Sequence, residues 1–247
     1  VAMVVSMLPQ SGVVLAADSK AEATYEIYPT PHEMTYADGE MTISSEVNVV
    51  FESKIDDATK ARLNAILGSK SLTVSVTDAV VEGKTNILVG TYGSDEYVDT
   101  YVEENADVNA DLFDKISGHY VSVADDMIIV LGVDTDAAFY GITSLKHIFA
   151  QMDGTTIRNL TIKDYADTEI RGFIEGYYGI PWSNEDRMSL MEFGGEFKMT
   201  SYVFAPKDDP YHTSKWRQLY PADEIAEIAE MVKVGNDTKC KFVWTAH

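Results

Sequence analysis

Apolar residues fall at every second position of "EMTISSEVNVVF" (40–51) and "SLTVSVTDAVV" (71–81), the period of a strand with one buried face. The short apolar run "KTNILVGTYG" (84–93) predicts a third strand, closed by glycine, and "HYVSVADDMIIVLGVD" (119–134) predicts a hairpin turning at Ala124, Asp125 and Asp126. Two segments switch to helical spacing. "DDATKARLNAILGSK" (56–70) opens on an aspartate cap and ends at Gly68; "DTDAAFYGITSLKHIFAQMDG" (134–154) opens on an aspartate and stops at Gly154. Strands and helices in this order predict a compact α+β domain over residues 26–167.

After Asp167 the rhythm changes. "EIRGFIEGYYG" predicts a strand, "SNEDRMSLMEFGGEFK" a helix with Ser183 and Asp186 at capping-box spacing, "MTSYVFAPK" a strand, "PADEIAEIAEMVKV" a helix and "KFVWTAH" a strand. Strand, helix, strand, helix, strand implies parallel pairing through right-handed crossovers. The fold class expected is α/β, an α+β domain followed at 168–247 by the first three strands of a truncated (β/α)8 TIM-type barrel, since a complete one takes roughly 250 residues.

Composition narrows the partners. Among 247 residues, 19 basic side chains stand against 40 acidic ones, a formal charge of -21 with no basic cluster to neutralise phosphates, which excludes nucleic acid and favours neutral substrates. The first residues, "VAMVVSMLPQSGVVLAADSK", are apolar and reach small residues at Ala16 and Ala17. Residues 1–17 are therefore expected to be an incomplete secretory signal and 18–25 a linker, against the other reading of a buried first strand or helix. The interrupted run is too short for a spanning helix. One cysteine, Cys240, excludes an internal disulfide. With export, the location expected is secreted or cell-surface, in a bacterium.

In parallel β/α folds the ligand lies at the carboxyl ends of the strands. Gly176 lacks a Cβ, so a ligand can approach its peptide groups, and the tyrosines beside it offer a flat face and a hydroxyl. Helix–strand packing with a tight turn explains the same run equally well. Pro206 cannot donate to a ladder, so the sheet is expected to stop there and project Lys207, whose ammonium can hold sugar hydroxyls or form a solvated salt bridge to Asp208 or Asp209. Asp208 and Asp209 precede Pro210 in a turn, where aspartates satisfy loop backbone rather than act as an acid/base pair. Glu175 precedes the strand end by one residue and is expected to fill the barrel interior. His119, His147 and His212 stand singly, without metal-ligand spacing. No metal or cofactor is expected.

"RGFIEGYYGIPWS" (171–183), "YVFAPKDDPYH" (202–212) and "FVWTAH" (242–247) resemble the start of the catalytic barrel of glycoside hydrolase family 84, the β-N-acetylglucosaminidases that include O-GlcNAcases and clostridial enzymes named hyaluronidases. "EIYPTPHEMTY" and the segment after it are similar to the domain preceding that barrel, which also precedes family 20 hexosaminidases. The resemblance implies that Gly176 and Lys207 contact hydroxyls of N-acetylglucosamine and that Tyr178 lies near the site floor. It also implies a substrate-assisted reaction, in which the acetamido oxygen attacks the anomeric carbon to give an oxazoline. The aspartate pair serving that reaction follows the fourth barrel strand in the family, so no catalytic residue is expected within this chain. The substrates implied are N-acetylglucosamine-bearing glycans of glycoproteins or mucins. A non-catalytic carbohydrate-binding or adhesion protein keeping the cradle is the alternative. A family 20 hexosaminidase would instead carry an Asp-Glu pair later in its barrel.

Overall fold

The computed structural model describes residues 24–176 and 179–245. Among the described residues ten strands form two sheets, accompanied by five α-helices. The first sheet holds β1 (Glu33–Thr42), β2 (Glu46–Phe51), β3 (Thr73–Val76), β4 (Thr85–Thr91), β5 (His119–Ala124), β6 (Met127–Gly132) and β7 (Thr156–Asp164), in the order β1-β7-β5-β6-β4-β2-β3. Its helices are α1 (Asp57–Ser69), α2 (Tyr97–Asn105) and α3 (Thr135–Gln151). Capping sets the starts of α1 and α3: the carboxylates of Asp56 and Asp134 accept the amides of Thr59 and Ala137. The β5–β6 hairpin turns on Asp125 and Asp126, both at positive φ, as a two-residue primed turn requires.

An α+β layout would keep the helices apart from an antiparallel sheet. Here the sheet is mixed. β3, β2, β4 and β6 run parallel, whereas β5, β7 and β1 join antiparallel. All seven residues of β4 are buried, as a central parallel strand covered on both faces demands. Ile87 and Val89 pack with Leu63 of α1 and Ile142 of α3, while Leu88 packs with Val98 and Val102 of α2 on the other face. The strand expected over 40–51 is broken between β1 and β2, since Ile43–Ser45 fall outside both.

The second sheet is β8 (Gly172–Glu175), β9 (Ser201–Phe204) and β10 (Lys241–Trp244), all parallel in the order β10-β9-β8. Helices α4 (Asn184–Glu196) and α5 (Ala222–Thr238) connect them. Ser183 caps α4, accepting the amide of Asp186 and donating its hydroxyl to the Asp186 carboxylate. The register places Phe173, Tyr202 and Phe242 on one face, where Tyr202 clusters with Met191, Met231 and Cys240 beneath the helices. The opposite face carries Ile174, Val203 and Val243, and Ile174 is 70% exposed. Gly172 is demanded by close approach, because a Cβ there would stand 1.7 Å from the carbonyl oxygen of Ser201.

The two sheets meet through charge. Lys198, between α4 and β9, buries its ammonium 2.7 Å from Asp164 at the end of β7. Lys239, after α5, pairs with Asp56 and, at 2.9 Å, with Asp136; Lys241 of β10 lies 2.7 Å from Asp136. In the opposite sense, Glu196 at the end of α4 takes Arg62 at 3.0 Å and Lys146 at 2.5 Å.

Candidate functional site

The carboxyl ends of β8, β9 and β10 lie side by side, and each chemically able residue is placed by where its strand stops. β8 ends at Glu175, so Gly176 is the first residue beyond it. Among the described residues, a Cβ on Gly176 would meet only the Ile174 side chain, at 3.7 Å, along the open face of the sheet. β9 ends at Phe204; Ala205 and Pro206 follow, and Lys207 is half-buried in the loop after them. Two hydrogen bonds tie the loops that carry Gly176 and Lys207. The Ala205 amide donates to the Glu175 carbonyl (3.1 Å), and the Gly179 amide donates to Asp208 Oδ2 (3.0 Å). Tyr178 lies outside the described residues.

Glu175 departs from expectation. It does not point to the open face but alternates with Phe173 toward the helices, where it is 1% exposed. Arg187 of α4 grips it with two parallel bonds, Nε to Oε2 and Nη2 to Oε1, each 2.8 Å. The Tyr202 hydroxyl donates to Oε2. Burial alone would raise the Glu175 pKa, but Arg187 and Tyr202 outweigh it and hold the carboxyl below its ordinary range. A group so held is a poor proton donor at neutral pH.

The two aspartates are also occupied. Asp209 caps a single 3₁₀ turn at 210–212, accepting the Tyr211 amide at 2.8 Å on Oδ1 and the Tyr220 hydroxyl at 2.9 Å on Oδ2. The chain extends from there, as Trp244 Nε1 donates to the Tyr220 hydroxyl at 3.0 Å. Buried His212 packs between the rings of Phe204 and Trp244, at 5.2 and 4.9 Å between centroids. Loop backbone and neighbouring hydroxyls thus use these carboxylates, as their place before Pro210 suggested. A cleft of about 500 Å³ lies on the helix side of the same loops, lined by Pro181, Arg187, Asp208, Asp209, Tyr211 and Glu227. Neither Gly176 nor Lys207 lines it. Among the described residues no cluster of His, Cys, Asp and Glu could hold a metal ion, and no helix is long and apolar enough to cross a membrane.

Arg187, Tyr202, Tyr220 and Trp244 were not singled out in the sequence. The one local signal for Arg187 is its three-residue spacing from Asn184, which α4 turns into a 2.6 Å bond.

A family model described as beta-N-acetylglucosaminidase matches residues 171–247, and one described as glycosyl hydrolase family 20, domain 2, matches 24–165. The solved structure of CpGH84D superposes on 92% of this chain with a TM-score of 0.90 and 53% identity. The chain belongs to glycoside hydrolase family 84. Within family 84 it is also similar to CpGH84B, at 31% identity and TM-score 0.78 over 90% of the chain. Protein O-GlcNAcase of Rattus norvegicus and that of Mus musculus are each 30% identical over 73 residues, 30% of this chain. A beta-N-acetylhexosaminidase from Bacteroides fragilis NCTC 9343, at 16% identity and TM-score 0.61 over 88% of the chain and 44% of its own, shares the fold. The chain spans 38% of CpGH84D, 37% of CpGH84B and 8% of each O-GlcNAcase.

Proposed function

We propose that this chain is the amino-terminal part of an exported β-N-acetylglucosaminidase that removes terminal β-linked N-acetylglucosamine from glycans of glycoproteins or mucins. The observation that carries the reading is the alignment of three parallel strand ends, with the Gly176 loop and the Lys207 loop joined through Gly179 and Asp208. β8, β9 and β10 are then the first three strands of a (β/α)8 barrel, and their open face, with Ile174, Val203 and Val243, lines its interior. Gly176 and Lys207 hold hydroxyls of the terminal sugar, with Tyr178 near the floor. The acetamido oxygen of the substrate is the nucleophile, giving an oxazoline and retention of configuration. An aspartate pair after the fourth strand orients the amide and transfers the proton, which fits the occupied state of Glu175, Asp208 and Asp209. Residues 1–17 supply the export signal.

The test compares the complete gene product with the 247-residue chain on a chromogenic N-acetylglucosaminide and its N-trifluoroacetyl analogue. The complete protein should turn over the first and slow sharply on the second, whose amide oxygen is the poorer nucleophile; the short chain should stay at background. Sugar binding without turnover by the complete protein would establish the non-catalytic carbohydrate-binding alternative. Clear turnover by the short chain would place the proton donor within it and refute the assignment.

A further inference from the structure

The Glu175–Arg187 pair is an unusual component for the place it occupies. Its neighbours on that face of the sheet, Phe173, Tyr202, Phe204 and Phe242, are aromatic, and Met191 and Met231 cover them. A leucine or methionine would fill such a site, and replacing a buried ion pair by apolar residues is often neutral or stabilising. What the pair provides and an apolar side chain cannot is direction. Two parallel bonds from a planar guanidinium fix the plane of the carboxylate. Arg187 is in turn fixed by its 2.6 Å bond to Asn184 Oδ1 and by the Phe204 ring, 4.7 Å from its Cζ.

The carboxylate holds both ends of one segment. Glu175 stands immediately before Gly176, and Arg187, near the start of the helix into which that segment leads, grips the same carboxylate. Across the sheet, the Tyr202 hydroxyl and the Ala205 amide bind the Glu175 side chain and carbonyl respectively. One buried side chain therefore closes the base of the loop after β8 and registers it against the loop after β9.

We propose that Glu175, clamped by Arg187 and Tyr202, is a positioning residue that sets the peptide groups of Gly176 against the sugar hydroxyls. The inference rests on reading Gly176 as a sugar contact. Glu175 touches no substrate; it acts through the backbone it holds.

The test uses the complete gene product and an aryl N-acetylglucosaminide alongside its 3-, 4- and 6-deoxy analogues, with wild type, Glu175→Gln and Tyr202→Phe. Glu175→Gln loses the bidentate grip, and a loop displaced by the order of an ångström should lower kcat/KM about 10²-fold on the parent sugar. On the deoxy sugar that lacks the hydroxyl served by Gly176 the loss should be much smaller, so the parent-to-deoxy ratio falls toward unity. Tyr202→Phe removes one bond and should compress the ratio in part, with a loss of roughly 3–10-fold corresponding to a single hydrogen bond.

A residue needed only for folding would change the amount of active enzyme and leave that ratio untouched. An unchanged ratio in an active variant therefore overturns the proposal. If Glu175→Gln does not fold, Tyr202→Phe decides by the same ratio. A wild type that turns over none of the sugars removes the reading of the site itself, and with it the inference. A wild type that discriminates by hydroxyl, with variants that discriminate equally, sinks the inference alone.

Discussion

Acidification should loosen the contact between the two sheets through one imidazole. His119 of β5 is 1% exposed, and its Nδ1 lies 2.8 Å from the Ser117 carbonyl. With the proton on Nδ1 donated to that carbonyl, Nε2 stands 3.6 Å from Asp164 Oδ2. Facing it are Asp164 from β7, Lys198 from the turn after α4 and Arg171 ahead of β8. Burial, then Lys198, push the His119 pKa down to about 4, against the pull of Asp164. In the unfolded chain the ring titrates near 6.5. A base depressed on folding binds its proton more readily when unfolded. Stability is thus complete above pH 6.5 and declines as the pH falls toward 4. A drop of about 2.5 in pKa, at ~1.4 kcal/mol each, gives about 3 kcal/mol lost by pH 4. All three tryptophans, Trp182, Trp216 and Trp244, lie in the segment bearing β8 to β10. Urea unfolding followed by tryptophan fluorescence at pH 7, 6, 5 and 4 therefore reads that segment. His119→Gln keeps a polar group that does not ionise. Subtracting its curve removes the carboxylates, His147, and His32, whose pKa the hydrogen bond to Asp164 raises. The gap between wild type and variant should change by about 3 kcal/mol between pH 7 and 4. Parallel curves would refute the reasoning.

The buried partner of that carboxylate gives a second test: Lys198→Met removes the buried ammonium and leaves Asp164 only its bonds from His32, which should cost at most roughly 3–5 kcal/mol, recovered in part by adding Asp164→Leu. Equal losses in the single and double variants would contradict this. Gly172→Ala should part β8 from β9, seen as faster amide exchange at 172–175 and 201–204 with β4 unaffected; unchanged exchange would show that the strand can shift to accept a Cβ. Burial pushes the Cys240 thiol up to about 11, so a thiol reagent at pH 8 should label it only as the chain unfolds, and immediate labelling would contradict that. Asp208→Ala removes the acceptor for the Gly179 amide and should raise KM for the sugar in the complete protein severalfold, about 0.5–1.5 kcal/mol in binding terms, whereas Asp208→Asn should lose less.

Local chemistry was legible and distant partnership was not. Asp56, Asp134 and Ser183 announce their helices because a cap is written within four residues of itself. The β5–β6 hairpin was visible because two strong strands flank Asp125 and Asp126. β7 escaped notice because "TIRNLTIKD" interleaves polar residues unevenly, with Arg158 and Asn159 adjacent. The first half of β1 escaped too, since it is a largely exposed edge whose register slips between Tyr36 and Glu40. At the site, Pro206 and the turn-bound Asp208 and Asp209 could be read from neighbours in sequence. Glu175 could not. Its face is set by the strand's alternation, and its partner Arg187 arrives only when α4 docks across the sheet, twelve residues later.

The ionic contacts between the sheets have an order in time. Synthesis runs from the amino terminus, and early segments fold first as units. Asp56, Asp136 and Asp164, together with Arg62 and Lys146, are therefore in place on a folded seat before their partners leave the ribosome. Glu196 and Lys198 arrive first and moor α4 to that seat while β9 is still being made. Lys239 and Lys241 follow and pin α5 and β10 beside it. The growing sheet is thus received strand by strand on a charged template already built. Because exposed members of these pairs are screened within about 8 Å at physiological ionic strength, high salt should slow that reception more than it weakens the finished contact.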